Sequence, residues 1–388
     1  MPIPLTYNLR NIAERRVTSL MTALGIALSV FVLVAVLALV QGLRTSFEAT
    51  GGDRDLLIVR KGSTAELISV VSRTNYQDIR EHTGIERDAN GRPLASLEMV
   101  TVINIGDETK GEDRNFNVRA VTPAAFQLRP DLRIISGRNF EPGRREVIVG
   151  ASIARRFPDA GVGKTLTFGR GGDWNVVGVF EAGRTPFNGE IWGDLNQISA
   201  DYNRAGYLSS LLVRTKSGEM QALARSLEAD PRFNVSAIPE RQYYADQTGS
   251  AVPVQFMGTL VAVILAIGSA FAAMNTMYTA VSRRTAEIAT LRVIGFTRAA
   301  ILGSFLAESL VLSLMGGIVG CLLALPLNRV STEISSYRTF STLTFNFHVS
   351  PQVMLAGLAF SLLIGAAGGL LPASRAARTE IITALRAR

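Results

Sequence analysis

The chain has one cysteine, Cys321, and two histidines, His82 and His348, in 388 residues. A single thiol excludes a disulfide scaffold. Two histidines far apart in sequence leave little for a histidine-based hydrolase or a metal centre. Charged residues make up 19% and hydrophobic ones 47%, which is too apolar for intrinsic disorder. The net charge of +8 would suit a nucleic-acid binder, but its location argues otherwise. From Arg44 to Asp246 there are 27 basic and 27 acidic residues, and the rest of the chain holds 13 and 5. The whole excess therefore flanks apolar segments. That is the charge pattern of a membrane protein, with no nucleic-acid partner expected.

Four segments are long and apolar enough to span a bilayer core, which needs about 20 residues of helix. They are expected at 17–43, 251–282 (including a stalk), 299–328 and 351–373. The first exceeds the apolar core of a signal peptide, so it reads as a retained anchor. Before it, Leu5, Leu9 and Ile12 recur at helical spacing among Arg10, Glu14, Arg15 and Arg16. That pattern predicts an amphipathic helix over 1–16 on the inner membrane surface. Short-loop arginines set the orientation. Arg10, Arg15 and Arg16, then Arg283, Arg284, Arg292 and Arg298, then Arg375, Arg378, Arg386 and Arg388 fall on one side if there are four spans. Both termini, including the tail 374–388, and the loop 283–298 are then cytoplasmic. The loop 329–350 and the neutral domain 44–250 are extracytoplasmic.

The expected fold class is a membrane protein of four transmembrane α-helices with a large α+β extracytoplasmic domain between the first and second spans. In that domain Asp55–Arg60, Leu97–Ile105, Phe116–Val121, Glu146–Val149, Thr165–Phe168, Trp174–Phe180 and Ser209–Thr215 read as strands. Glu219–Glu228 and Ile153–Phe157 read as helices. Gly163-Lys164-Thr165 ends like a phosphate-binding loop, but the glycine such a loop needs is Pro158. Gly150-Ala151-Ser152-Ile153-Ala154 lacks the final glycine of a nucleophile elbow. No catalytic constellation emerges, so a non-catalytic subunit is expected.

The loop 283–298 carries more information. Thr285 to Ile294 predicts a short helix with Ile288, Leu291 and Ile294 on one face. Gly295 suits a left-handed helix stop, and Thr297 suits the cap of the next span. Within the spans, Glu308 is an intramembrane acid, read as paired with a cytoplasmic-side arginine or a backbone amide in preference to the alternative, a proton path. Asn275 is placed to hydrogen-bond between helices. Gly25, Gly268, Gly316, Gly320, Gly365 and Gly369 recur at spacings that permit close helix approach. Cys321 reads as a small apolar packer.

Asn275-Thr276-Met277, Arg283-Arg284-Thr285-Ala286-Glu287-Ile288-Ala289 and Leu291-Arg292-Val293-Ile294-Gly295 together resemble the signature of the FtsX-like/MacB-type ABC transporter permeases. Phe305-Leu306-Ala307-Glu308-Ser309 with Gly316-Gly317 is similar to that family's third span. Pro372-Ala373-Ser374-Arg375 is similar to its C-terminal region. The resemblance implies a multi-pass protein of the bacterial inner membrane. It also implies that 283–298 is a coupling helix on an ABC ATPase subunit. No nucleotide-binding domain is found in these residues, so the ATPase, with its ATP and Mg2+, is expected in trans. This chain itself is expected to bind no cofactor or metal. Arg284, Glu287, Ile288, Leu291, Arg292, Gly295 and Arg298 form the expected coupling set, with Ile288 and Leu291 as the apolar insert. A second permease copy is implied, as a homodimer or a heterodimer, and the assembly is read either with or without a periplasmic adaptor and outer-membrane channel. ATP-driven motion of the outer domain, called mechanotransmission, would serve export or membrane extraction. The competing readings are an FtsX-like scaffold that activates a cell-wall hydrolase, and a membrane sensor.

Overall fold

Long stretches of Leu, Val, Ala and Ile without charge form helices because only internal hydrogen bonds satisfy the backbone in an apolar setting. The computed structural model describes residues 16–48, 50–107, 112–170, 172–183, 185–247, 252–336 and 341–378. The expected amphipathic helix over 1–16 and most of the tail 374–388 lie outside the described residues.

In chain order the helices are α1 (Arg16–Glu48), α2 (Arg73–Arg80), α3 (Ala124–Leu128), α4 (Ala151–Arg156), α5 (Leu195–Asp201) and α6 (Met220–Ala229). They continue as α7 (Glu240–Gln247), α8 (Val252–Arg283), α9 (Thr285–Val293), α10 (Arg298–Ala324) and α11 (Pro351–Ala377). The strands are β1 (Asp55–Arg60), β2 (Val71–Ser72), β3 (Ala95–Asp107), β4 (Glu112–Val121), β5 (Leu132–Gly137), β6 (Glu146–Gly150) and β7 (Thr165–Thr167). Then come β8 (Asp173–Ala182), β9 (Glu190–Asp194), β10 (Tyr207–Leu208), β11 (Ser210–Arg214), β12 (Val235–Pro239), β13 (Ser331–Ser336) and β14 (Ser341–Asn346).

The chain divides into two compact units. The helical unit runs to Gly42, then from Ala251 to Val330 and from Phe347 onward. Four of its helices are long and apolar enough to cross a membrane: Val17–Phe47, Gln255–Arg283, Arg298–Arg329 and Pro351–Ala377. Ile26, Val30 and Val34 of α1 pack with Cys321 and Ala324 of α10 and Val353 and Ile364 of α11. Ser350 caps α11 by accepting from the Val353 amide, and Pro351 takes the first helical position, where no donor is needed.

The α+β unit holds Leu43–Ser250 and Ser331–Asn346. One continuous sheet runs β12-β1-β11-β3-β4-β9-β6-β8-β5, with β7 on β8. All pairings along it are antiparallel except β4 with β9 and β6 with β8. β1 is buried on both faces through Leu56, Leu57, Ile58 and Val59, which explains its unbroken apolar run. The main core gathers Ile58, Phe116, Phe157, Trp174, Ile191 and Leu223, among others. Phe168 stacks on Trp174 with ring centroids 5.1 Å apart.

The seven expected strands and both expected helices are present, with ends shifted by up to two residues except in β4, which begins at Glu112. The sequence reading passed over β5, β9 and β12. Each is only five or six residues long and carries glycine or proline, which are depleted in strands. The expected loop 329–350 contains regular structure. Within it, β13 and β14 pair as antiparallel strands, which belong to the α+β unit, with β14 against β4 and the turn Pro186–Gly189. Thr332, Ile334, Thr342 and Thr344 supply their β-branched content.

Candidate functional site

The α9 segment closes between two spans much as its sequence dictates. Gly295 has a φ of +106°. The amide of Phe296 donates to the Leu291 carbonyl and the amide of Gly295 to that of Arg292, at 3.1 and 3.2 Å. This is the Schellman arrangement that ends a helix at glycine. Thr297 Oγ1 then accepts from the Ala300 amide at 3.2 Å and starts α10. The loop is therefore a short helix held at both ends.

Its apolar residues do not all face outward. Ile288 is only 2% exposed, packed among Met277, Val281, Ile301, Phe305, Ala373 and Ala376. The expected role of Ile288 as a partner-facing insert is therefore corrected: it anchors α9 to its own spans. Leu291 is half-buried. The exposed apolar residues are the next two, Val293 at 64% and Ile294 at 70%. Ile294 belongs to the face expected from the sequence, whereas Val293 does not, because the helix ends there and the Gly295 turn redirects the chain.

The charges divide similarly. Glu287 and Arg298 are exposed. Arg292 is half-buried, and its Nη1 donates to the Ala377 carbonyl at 3.2 Å, tying α9 to the end of α11. Arg284 is buried, with Nη1 3.4 Å from Glu308 Oε2, and both side chains are under a tenth exposed. That is the arginine pairing expected for Glu308. Arg284 also lies 4.0 Å from Glu287.

Asn275 is exposed, and its carbonyl accepts from Thr279 within the same helix. The contact between helices falls one residue later, where Thr276 Oγ1 lies 2.9 Å from Thr22 Oγ1. A second polar bridge joins Ser29 and Ser269 at 2.8 Å. Gly316, Gly320, Gly365 and Gly369 all sit where a Cβ would strike a neighbouring helix; at Gly320 it would lie 2.5 Å from the Ala27 carbonyl oxygen. The Gly25 carbonyl accepts from Ser269 Oγ at 3.0 Å. At Gly268 an added Cβ would meet no atom of the described residues within 4 Å, so this glycine supports no close helix approach within the chain.

A model of the MacB-like periplasmic core domain matches residues 19–230, and one of the FtsX-like permease C-terminal region matches residues 259–381. The chain belongs to the MacB/FtsX-like ABC transporter permease family. The uncharacterized ABC transporter permease YknZ of Bacillus subtilis is 26% identical over 97% of both chains. The macrolide export ATP-binding/permease protein MacB of Bdellovibrio bacteriovorus is also 26% identical, over 98% of this chain and 61% of its own. Matched solved structures include the periplasmic region of MacB from Actinobacillus actinomycetemcomitans, at 11% identity and a TM-score of 0.38. That match covers 50% of this chain and 91% of the other. The extracellular domain of YknZ from Gram-positive bacteria follows at 17% identity and a TM-score of 0.37, covering 47% and 99%.

The permease's MacB-like domain contains a buried ionic network that the sequence reading did not find. Arg119 bonds Glu66, Glu98 and Glu190 at 2.8–3.1 Å, and Arg129 bonds Glu98 and Glu240 at 2.6–3.2 Å. Ser210 Oγ and Trp192 Nε1 donate to Glu66 and Glu190. Both guanidiniums stack on the Phe187 ring. Four carboxylates thus share two guanidiniums. Burial pushes the Glu240 carboxyl up to about 7 against the pull of Arg129, and Asp55, Glu98 and Glu66 push the same way. Burial also works against ionised Glu98, but Arg129 and Arg119 outweigh it and hold its pKa below the usual range. The clue in the sequence was charge inside apolar strands: Leu97-Glu98-Met99 and Val118-Arg119-Ala120. Gly163-Lys164-Thr165 leads into strand β7 rather than a helix, so it is no phosphate loop.

Proposed function

We propose that this permease couples ATP hydrolysis by a separate ABC ATPase subunit to movement of its MacB-like domain, for export or membrane extraction of a substrate. The reading rests chiefly on α9: a short helix anchored by Ile288, Arg284–Glu308 and Arg292–Ala377 that presents Glu287, Val293, Ile294 and Arg298 to its surroundings. An apolar tip ringed by charge on a rigid mount suits docking into a groove, because little ordering entropy remains to be lost on binding. The name of the Bdellovibrio relative joins ATP binding with macrolide export by one permease. Here the ATP and Mg2+ belong to the partner subunit. Two permease copies would pair with two ATPases, with the basic loop and both termini in the cytoplasm and the MacB-like domain outside the inner membrane. A periplasmic adaptor and an outer-membrane channel complete the assembly in hosts that have an outer membrane.

The test is a mild-detergent pull-down of the tagged protein from its native host, with mass spectrometry and an ATPase assay. The reading expects an ABC ATPase to co-purify. A Val293→Asp/Ile294→Asp variant should lose that partner while still inserting and eluting as a single species. An intact, inserted protein that brings down no ATPase overturns the reading.

A further inference from the structure

The MacB-like domain has a second feature, well separated in composition from the buried network. A cleft of about 420 Å3 opens beside α2, within the size range of small-molecule sites. Helix α2 lines it with Arg73, Tyr76, Gln77 and Arg80, which are spaced i, i+3, i+4 and i+7 and so share one helix face. Arg92 faces the cleft from the loop before β3, and Leu97 and Leu195 add apolar wall.

The charge balance in the cleft is one-sided. Its lining holds three arginines and one acid, Asp88. Asp88 is already engaged: its carboxylate accepts from the Asn90 and Arg92 amides and from Arg92 Nε. These bonds, the Arg92 amide first, hold its carboxyl below the usual range. Arg73 spends two N–H groups on Asn196 Oδ1 and the Ala205 carbonyl. The Arg80 Nε is buried and has no hydrogen-bond partner among the described residues, and Glu81, at 4.0 Å, is the acid beside it. Glu81 itself lies closer to Arg87, at 2.8 Å. The Tyr76 hydroxyl donates to the Ala95 carbonyl, so its ring is a fixed apolar wall rather than a free polar group. The guanidiniums retain donors that point to an acceptor with negative charge, since arginine matches carboxylate and phosphate geometry.

We propose that this cleft binds an organic anion, with a carboxylate or phosphate held by Arg80, Arg73 and Arg92 and an apolar portion against Tyr76, Leu97 and Leu195. The site is independent of the coupling reading, because it requires neither ATPase nor movement. A free organic acid, an acidic lipid headgroup and inorganic phosphate share the recognised chemistry.

The test uses the full chain in nanodiscs of neutral phosphatidylcholine, titrated calorimetrically with octanoate, dihexanoylphosphatidate, inorganic phosphate and zwitterionic dihexanoylphosphatidylcholine. Octanoate or dihexanoylphosphatidate should bind, more tightly than inorganic phosphate, and binding should weaken as salt rises from about 50 to about 500 mM. The anion that binds identifies the source. Arg92→Gln alters a side chain that is 65% exposed, so its fold should persist. That variant and Arg73→Gln/Arg80→Gln should each bind about tenfold more weakly or worse. Arg73→Lys/Arg80→Lys should recover part of the loss. The proposal is overturned if neither organic anion binds below about 10 mM, if inorganic phosphate or the zwitterion binds as well as they do, or if folded Arg92→Gln binds as the unaltered chain does.

Discussion

Arg119 and Glu66 meet edge to edge inside the MacB-like domain, Nη1 to Oε1 and Nη2 to Oε2 both at 3.0 Å, with their side chains 3% and 5% exposed. Removing the guanidinium strands Glu66 and Glu190 in the interior, where breaking a buried pair costs about 3–5 kcal/mol. Arg119→Met should therefore lower the denaturant midpoint of this domain markedly. The chain's two tryptophans, Trp174 and Trp192, both lie in this domain, so their fluorescence follows its unfolding alone. An unchanged midpoint in that variant would show that the network contributes nothing to stability.

Glu240 carries a pH dependence of defined sign. Its folded pKa of about 7 lies above the ordinary glutamate value of 4.5. The folded state therefore holds a proton that the unfolded chain releases, and stability falls as pH rises from about 4.5 to about 7. The full difference is on the order of 3 kcal/mol. Glu240→Gln keeps an acceptor for Arg129 but cannot ionise. The difference in melting midpoint between the two proteins should shift toward the variant across that window and level off above it. A pH-independent difference would refute the assignment.

Arg284 and Glu308 should behave as a structural unit within the helical unit. Glu308→Ala leaves a buried guanidinium with a lost partner and should lower the temperature at which the detergent-solubilised protein ceases to elute as one species. Reversing the pair, Arg284→Glu with Glu308→Arg, should recover part of that loss, since pairing rather than identity matters. Equal instability in the reversed pair and the single variant would count against the pairing.

The glycines separate by environment. At Gly369 an added Cβ would lie 2.5 Å from Ser309 Cβ, and at Gly320 it meets the Ala27 carbonyl oxygen at the same distance. Gly320→Ala and Gly369→Ala should each cost about 1–3 kcal/mol by overpacking. Gly268→Ala meets nothing within 4 Å, so it should be neutral or stabilising by up to about 1 kcal/mol, as helix propensity dictates. Thermal elution assays on the three variants decide this, and equal loss at Gly268 would contradict the packing.

Much of α9 was legible because its signals are local. Gly295 stops the helix and Thr297 caps the next one through contacts spanning three to five residues, which a linear reading captures. Ile288 was misjudged because its burial depends on Phe305 and Ala373, and the latter is 85 positions away. Asn275 and Thr276 are neighbours in sequence, yet helix rotation gives the bond between spans to Thr276 alone.

The sequence by itself determined the four spans, the segregation of charge away from them and the α+β character of the remainder. Those follow from the lengths of apolar runs and from strand alternation, which are properties of adjacent residues. Only the tertiary structure decided which charges are buried together. Glu66, Glu98, Arg119, Arg129, Glu190 and Glu240 come from six separate stretches of chain, and nothing in any one stretch names its counter-ion. It also decided that β13 and β14 belong to the α+β unit, because sheet and turn contacts are made across the fold rather than along the chain.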